Sequence, residues 1–350
     1  MKENVWRQPI SDLPSVSVVV PALNEGANLR PLYERLKATL QGLDVDWELI
    51  VVDDGSKDDS GQILEQLHAE DDRVGFIRLA RSFGQQMALL AGMEASAGDA
   101  VIAMDADLQQ PPELLPTLIR HWQEGHPIVQ TIRRQRSRWW NLKDLLSSAF
   151  YPLIQRLSSV PIVSGASEFF LVDKRVRNCL LQCRERSRFN RGLLAWLGHS
   201  RAFVEYDVAE RRSGESKFTI LKLRKLALDA VFSFSVAPLR LFGLLGVLSV
   251  IGTFIYAIYV LLQVFVFHDT VRGWASVVLL VGWFGSLQLL SLWAIGEYVA
   301  RVYLDVMGRP HYVVEKSTMP YDRDASPHFC ATTAEERSGE RPDGIADTSD

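Results

Sequence analysis

Gly98-Asp99-Ala100-Val101-Ile102-Ala103-Met104-Asp105-Ala106-Asp107-Leu108-Gln109-Gln110-Pro111-Pro112 is the stretch on which the reading of this chain turns. A short apolar run of strand character opens into two carboxylates one residue apart. Placed at the end of a buried strand, such a pair can set hard oxygen ligands around one divalent cation. That cation would keep positions open for the phosphates of a ligand.

Working outward, short apolar runs alternate with amphipathic stretches over the first 135 or so residues. Val16-Ser17-Val18-Val19-Val20 reads as a buried strand, and Leu29, Leu32, Leu36 and Leu40 follow at helical spacing. Trp47 to Val52 predicts a second strand, and Ile63, Leu64 and Leu67 a second helix. Val74 to Leu79 is strand-like, Phe83 to Ala97 helical, Ala100 to Met104 strand, Pro112 to Glu124 helical and Ile128 to Ile132 strand. The alternation predicts a parallel α/β sheet with helices on both faces. Ligands of such sheets sit beyond the carboxyl ends of the strands. Asn24-Glu25, Asp53-Asp54 and Asp105/Asp107 each follow a strand, so all three can line one cleft.

Asp53-Asp54-Gly55-Ser56 adds a second acidic turn. An aspartate there can accept a hydrogen bond from a nucleobase imide or a ribose hydroxyl, and Gly55 permits a tight turn. Neither a Walker Gly-Lys-Ser/Thr nor a Gly-x-Gly-x-x-Gly fingerprint occurs, which leaves a nucleotide held by carboxylates and a metal. The 38 Lys and Arg against 42 Asp and Glu give a formal charge of -4, so nothing points to nucleic acid as a partner. Of the three cysteines, Cys179 and Cys183 are four apart, with no His or third Cys at metal-ligand spacing. They read as reduced thiols. The seven histidines read as surface or satisfied groups without a constellation. Met1 to Leu13 is polar and lacks the apolar core of a signal peptide.

Phe242 to Phe267 and Trp274 to Ile295 carry no charged residue, and His268-Asp269-Thr270-Val271-Arg272 links them. They read as a two-helix transmembrane hairpin, with a buried helix pair as the competing view. Basic residues before the first run, and Arg301 and Arg309 after the second, place both chain ends in the cytoplasm. The expectation is a multi-pass inner-membrane protein. Ile220 to Val236 combines Lys222, Arg224 and Lys225 with leucines, as an interfacial amphipathic helix would; a soluble surface helix is the alternative. The tail after about residue 317 is rich in Ser, Thr, Pro, Asp and Glu and reads as disordered.

Together these residues resemble a known family. Pro21-Ala22-Leu23-Asn24-Glu25, Val51-Val52-Asp53-Asp54-Gly55-Ser56, Arg81-Ser82-Phe83-Gly84 and Asp105-Ala106-Asp107-Leu108-Gln109 look like family 2 glycosyltransferases. The likeness is to the polyprenyl-phosphate group, which includes dolichyl-phosphate mannose synthases and bactoprenol glucosyltransferases. It runs on through Arg211-Arg212-Ser213-Gly214-Glu215-Ser216-Lys217-Phe218, Gly296-Glu297-Tyr298 and Arg309-Pro310, covering about residues 15 to 315. The resemblance implies a Rossmann-like GT-A catalytic domain, a nucleotide-diphosphate sugar (UDP preferred to GDP) and Mg or Mn. It implies that Pro21, Asn24, Glu25, Asp53, Asp54, Ser56, Arg81, Gly84 and Asp105 hold the nucleotide. Asp105, Asp107 and Gln109 would surround the metal. Arg133, Arg136, Arg211, Ser216 and Lys217 would meet the acceptor phosphate, with Asp107, Glu168, Arg211 and Lys217 in catalysis. Some relatives are tetramers, so a homo-oligomer is implied as well.

Two departures stand out. The usual Gln-Asp-Pro-Pro is Gln109-Gln110-Pro111-Pro112, one carboxylate fewer near the metal. The usual Gly-x-Phe-Arg-Leu segment is Ala166-Ser167-Glu168-Phe169-Phe170-Leu171, with Phe170 where Arg is common. Glu168 either takes an acidic role there or is an ordinary helix or turn acid. Gln135-Arg136-Ser137-Arg138-Trp139 fits the Gln-x-x-Arg-Trp pattern of processive polysaccharide synthases. It precedes residues 166–171 instead of following the acceptor motif, so the match reads as chance.

The expected reaction is inverting sugar transfer to polyprenyl (undecaprenyl) phosphate on the cytoplasmic leaflet, for cell-envelope glycan or lipid modification. Its rivals are transfer to a polysaccharide or glycolipid hydroxyl, and a non-catalytic nucleotide-sugar sensor or scaffold. The expected divisions are an extension over 1–14, the glycosyltransferase domain over 15–218, an interfacial helix over 219–237 and membrane helices over 238–303. A cytoplasmic segment over 304–316 and an acidic tail over 317–350 complete the chain.

Overall fold

The computed structural model describes residues 13–134, 163, 165–183, 185, 188–207, 237–265 and 273–319. Its centre is an eight-stranded sheet. The strands are β1 (Ser15–Ala22), β2 (Asp46–Asp53), β3 (Val74–Leu79), β4 (Ala100–Ala103), β5 (Ile128–Arg133), β6 (Ala166–Asp173), β7 (Arg201–Tyr206) and β8 (Val314–Ser317). Their spatial order is β7-β5-β6-β4-β1-β2-β3-β8. The alternation read from the sequence appears as β1, α1 (Gly26–Leu40), β2, α2 (Ser60–Glu70), β3, α3 (Gln85–Ala95) and β4. After a single 3-10 turn come α4 (Leu115–Gln123) and β5.

Side-chain alternation sends each strand's residues to two cores. Val16, Val18 and Val20 pack with Leu29, Leu32 and Leu36 of α1 on one face. Val19 joins Ala88, Ala91 and Met93 of α3 on the other. The second core also takes Val176 and Leu180 of α5 (Lys174–Gln182) and Leu193 and Leu194 of α6 (Asn190–Trp196). The contact of α3 with β1 is close: a Cβ on Gly92 would lie 2.2 Å from Val19 Cγ1.

The sheet is mixed, where the sequence predicted a parallel one. β1 to β4 pair in parallel, but β6 runs antiparallel to β4 and β5, and β8 antiparallel to β3. Hydrophobic alternation reports burial on two faces and says nothing of strand direction. The chain between β5 and β6, 134–165, is long enough to return either way. β8 lies beyond the long C-terminal helices and closes the far edge, where Tyr312 is fully buried.

The transmembrane hairpin is corrected by the structure. Helices α7 (Ala237–Phe265) and α8 (Trp274–Val306) form where the two runs were read, and they pack against each other. Among the described residues, however, no helix is long and apolar enough to cross a membrane. The multi-pass inner-membrane location, with both ends in the cytoplasm, is therefore contradicted. The sequence reading counted charges and gave no weight to the Gly, Ser, Thr, Tyr and Gln residues within the runs. It also ended the second run at Ile295, whereas α8 continues through Glu297, Arg301 and Asp305. The interfacial helix read over 219–237 lies outside the described residues, apart from Ala237 at the start of α7.

Candidate active site

Three turns meet at the carboxyl ends of β1, β2 and β4. The first is held by Asn24, whose left-handed φ of 56° lets its amide N–H donate to Ser56 Oγ at 2.9 Å. Asn24 Oδ1 accepts from Lys57 N. Glu25 begins α1 and accepts from Asn28 Nδ2 at 2.6 Å. Pro21 lies on β1 opposite Val52 of β2.

Asp53 and Asp54 are both buried and act first as turn-holders. Asp53 Oδ1 accepts from Ser56 N at 2.8 Å. Its Oδ2 has no hydrogen-bond partner and faces Arg78 Nε at 3.7 Å. Arg78 also reaches Glu315 of β8 at 3.3 Å, so the C-terminal strand borders this turn. Asp54 gathers the third segment, accepting from Ser82 Oγ at 2.7 Å, Phe83 N at 2.7 Å and Gly84 N at 3.0 Å. Arg81 stacks over the Phe83 ring at 4.1 Å. Pro21, Asn24, Glu25, Asp53, Asp54, Ser56, Arg81 and Gly84 thus come together around one rim.

The Asp105 turn is built more tightly. Asp105 Oδ1 accepts from Gln85 Nε2 at 2.5 Å and its Oδ2 from Gln110 Nε2 at 2.6 Å, while its own N–H donates to Gln110 Oε1 at 2.8 Å. Leu108, at a φ of 60°, carries the strained residue of the turn and sinks its side chain into the core. Asp107 Oδ1 accepts from Gln109 N at 3.1 Å. Burial, then the charges of Asp107 and Glu168, push the Asp105 carboxyl up to about 6; Arg133 and Arg191 oppose this.

Asp107, Glu168, Arg133 and Arg191 are thus the charged groups that act on Asp105. On β6, Glu168 is nearly buried and accepts from Arg191 Nε of α6 at 2.8 Å. Arg133 donates through Nε to Tyr206 Oη at 3.1 Å and also acts on Asp105. Arg136, Arg211, Ser216 and Lys217 lie outside the described residues.

Gln110 was legible in the sequence only as a missing carboxylate. It is fully buried and makes a paired contact with Asp105 that needs one donor and one acceptor, which an amide supplies. Gln110→Glu would set a carboxylate against Asp105 Oδ2. It is expected to cost about 2 kcal/mol at neutral pH, read as a lowered Tm in thermal unfolding. Gln85 and Arg191 carried no signal in the sequence, because their importance lies in what long-range folding sets beside them.

The histidines also differ from the sequence reading. His121, Glu124 and His126 bring their ligand atoms within 4.8 Å of one another at the end of α4. His121 Nδ1 is 2.9 Å from Glu124 Oε2. They precede β5, at the opposite end of the strand from Arg133.

A mixed α/β sheet with acidic turns at its strand ends, and a carboxylate cluster with arginines beside it, is the arrangement of a GT-A-like fold. The comparisons agree. The model of glycosyl transferase family 2 matches residues 17–181. An uncharacterized glycosyltransferase of Synechocystis sp. is 38% identical over 299 residues, 85% of this chain and 94% of that one. The prophage-derived bactoprenol glucosyl transferase of Shigella flexneri is 35% identical over 302 residues, 86% of this chain and 98% of its own. The chain belongs to the family 2 glycosyltransferases, in the polyprenyl-phosphate type. Among solved structures, glucosyl-3-phosphoglycerate synthase from Mycobacterium tuberculosis, with Mn2+, UDP and phosphoglyceric acid, is 22% identical. It covers 63% of this chain and 76% of that one, with a TM-score of 0.42.

Proposed function

We propose that this enzyme moves a sugar from a nucleotide-diphosphate sugar, UDP-linked in preference to GDP-linked, to a polyprenyl phosphate. The observation that carries the reading is the Asp105, Asp107 and Glu168 cluster with Arg133 and Arg191 beside it. It stands in a chain that aligns along most of its length with a bactoprenol glucosyl transferase.

The carboxylates fit a divalent cation. Burial, and after it the charges of Asp107 and Glu168, make Asp105 hard to ionise, and a cation would relieve the like-charge part. Asp105 and Asp107 would hold it, with Gln109 adjoining, and all-oxygen donors suit Mg or Mn equally. When bound, the metal supplies Lewis-acid neutralisation of the departing diphosphate. Gln85 and Gln110 orient Asp105 for that contact. The rim formed by Pro21, Asn24, Glu25, Asp53, Asp54, Ser56, Arg81 and Gly84 receives the nucleoside.

The acceptor phosphate, with a second pKa of about 6, is already ionised near neutral pH and needs positioning more than a base. Its oxygen bonds to the anomeric carbon as the bond to the diphosphate oxygen breaks, and the nucleoside diphosphate leaves with the electron pair. Arg133 would meet this phosphate, and Arg136, Arg211, Ser216 and Lys217 share the role by sequence.

A hydroxyl acceptor is the second reading, because Glu168 Oε2 is buried with no partner and could serve as its base. Purified protein with radiolabelled UDP-glucose and polyprenyl phosphate should yield a lipid product labile to mild acid. Asp107→Ala should abolish it at unchanged expression. An acid-stable product would favour the hydroxyl acceptor, and normal turnover by the variant would sink the metal assignment.

A further inference from the structure

Three polar side chains around the carboxylate cluster carry atoms without hydrogen-bond partners, although all three are more than nine-tenths buried. Gln130 and Asn190 are each 1% exposed and Glu168 is 8% exposed. Gln130 Nε2 and Oε1, Asn190 Oδ1 and Glu168 Oε2 have no hydrogen bond. Buried polar groups are almost always paired, and each unpaired one lowers stability. Such a concentration points to a ligand that completes them.

The sheet brings them together. Gln130 on β5 stands opposite Phe170 on β6, and Glu168 lies two residues from Phe170 on the same face. Phe170 and Ile128 pack with Leu193 and Leu194, so this is the face that α6 covers. Asn190 opens α6, and its neighbour Arg191 grips Glu168. Arg191 keeps 31% of its side chain exposed, so solvent reaches the partner of the buried Glu168. The β4–β6 ladder ends on the Ala103–Phe170 pair, and just beyond it Asp105 feels the charge of Glu168.

We propose that Gln130, Asn190 and the Arg191-held Glu168 form the subsite that reads the hydroxyl groups of the transferred sugar. The inference rests on the nucleotide-sugar reading above. Neutral amides offer both donors and acceptors, which hydroxyls match and which phosphates, lacking donors, do not. The unpaired Glu168 and Asn190 oxygens would repel an anion. The nucleoside rim lies at β1 and β2 and the diphosphate belongs at Asp105 and Asp107, so the sugar is the part of the donor that falls here.

The test uses the full chain, with calorimetric titration of UDP, UDP-glucose, GDP and GDP-mannose. Gln130→Met and Asn190→Leu keep the volume and remove the polar atoms. For the nucleotide that binds, the parent should take the sugar-linked form at least tenfold more tightly than the bare diphosphate. In each variant that ratio should fall toward one, with bare-diphosphate affinity unchanged and Tm equal or higher. An unchanged ratio, or a lowered Tm that marks the amides as structural, overturns the subsite while leaving the enzyme's function intact. A parent that binds none of the four overturns the subsite and the donor reading together.

Discussion

An Asp105→Asn variant is expected to lose transfer activity by about a thousandfold, the scale of removing a main electrostatic element from an active site. In the parent, Mn2+ affinity should weaken about tenfold for each pH step below about 6, where a proton competes with the metal for Asp105. A radiolabelled sugar-transfer assay checks the first statement and Mn2+ titration between pH 5 and 8 the second, and the variant should lose that pH dependence. The stability sign is opposite. In the metal-free fold the Asp105 carboxyl sits at about 6, above its ordinary 3.8. Between those values the folded protein keeps a proton that the unfolded chain has released. The contribution is therefore present below about pH 4 and lost as pH rises through about 6. Its size is at most about 3 kcal/mol, trimmed because part of Asp105 meets solvent. Added Mn2+ should restore stability above pH 6. Metal-free unfolding that is flat across this window would contradict the assignment.

Gly55→Ala is expected to lower stability by about 3 kcal/mol and to abolish donor binding. Gly55 has a φ of 72°, a region that costs an L-residue roughly 1–2 kcal/mol. A Cβ there would lie 2.7 Å from the Arg81 carbonyl carbon and 2.9 Å from Ser82 N, both backbone atoms that cannot step aside. Overpacking adds about 1–3 kcal/mol. The displaced segment is the one Asp54 holds through Ser82, Phe83 and Gly84, so the nucleoside rim opens with it. Chemical denaturation and UDP titration on one preparation measure the two effects. A stable variant with normal UDP affinity would show that the Asp53–Ser56 turn does not shape the rim.

Gly55 marks where sequence reading succeeds. A glycine after two aspartates at a strand end calls for a tight turn, and the turn is local. The same holds for Asp105 and Asp107, whose positions depend on one strand and its exit. The limit appears at Glu168. Its neighbours in sequence left its role open, because its partner Arg191 comes from another helix and Asp105 from another strand. Gln110 is a similar case: read as the loss of an acid, it is the amide that orients Asp105. The two long apolar runs misled because a count of charges treats an apolar helix as a membrane span, and the described helices do not support that.

By itself the sequence determined the α/β alternation, the two acidic turns and the order in which they occur. Those features follow from side-chain periodicity and from the backbone demands of Asp, Asn and Gly over a few residues. Only the tertiary structure decided that β6 runs antiparallel and brings Glu168 within electrostatic reach of Asp105. It alone decided that Gln130 and Asn190 Oδ1 are buried without partners, and that β8 returns from beyond the long helices to set Glu315 against Arg78, which also faces Asp53. Each of these depends on strand direction and on contacts between residues far apart in the chain. Local propensity carries no information about either.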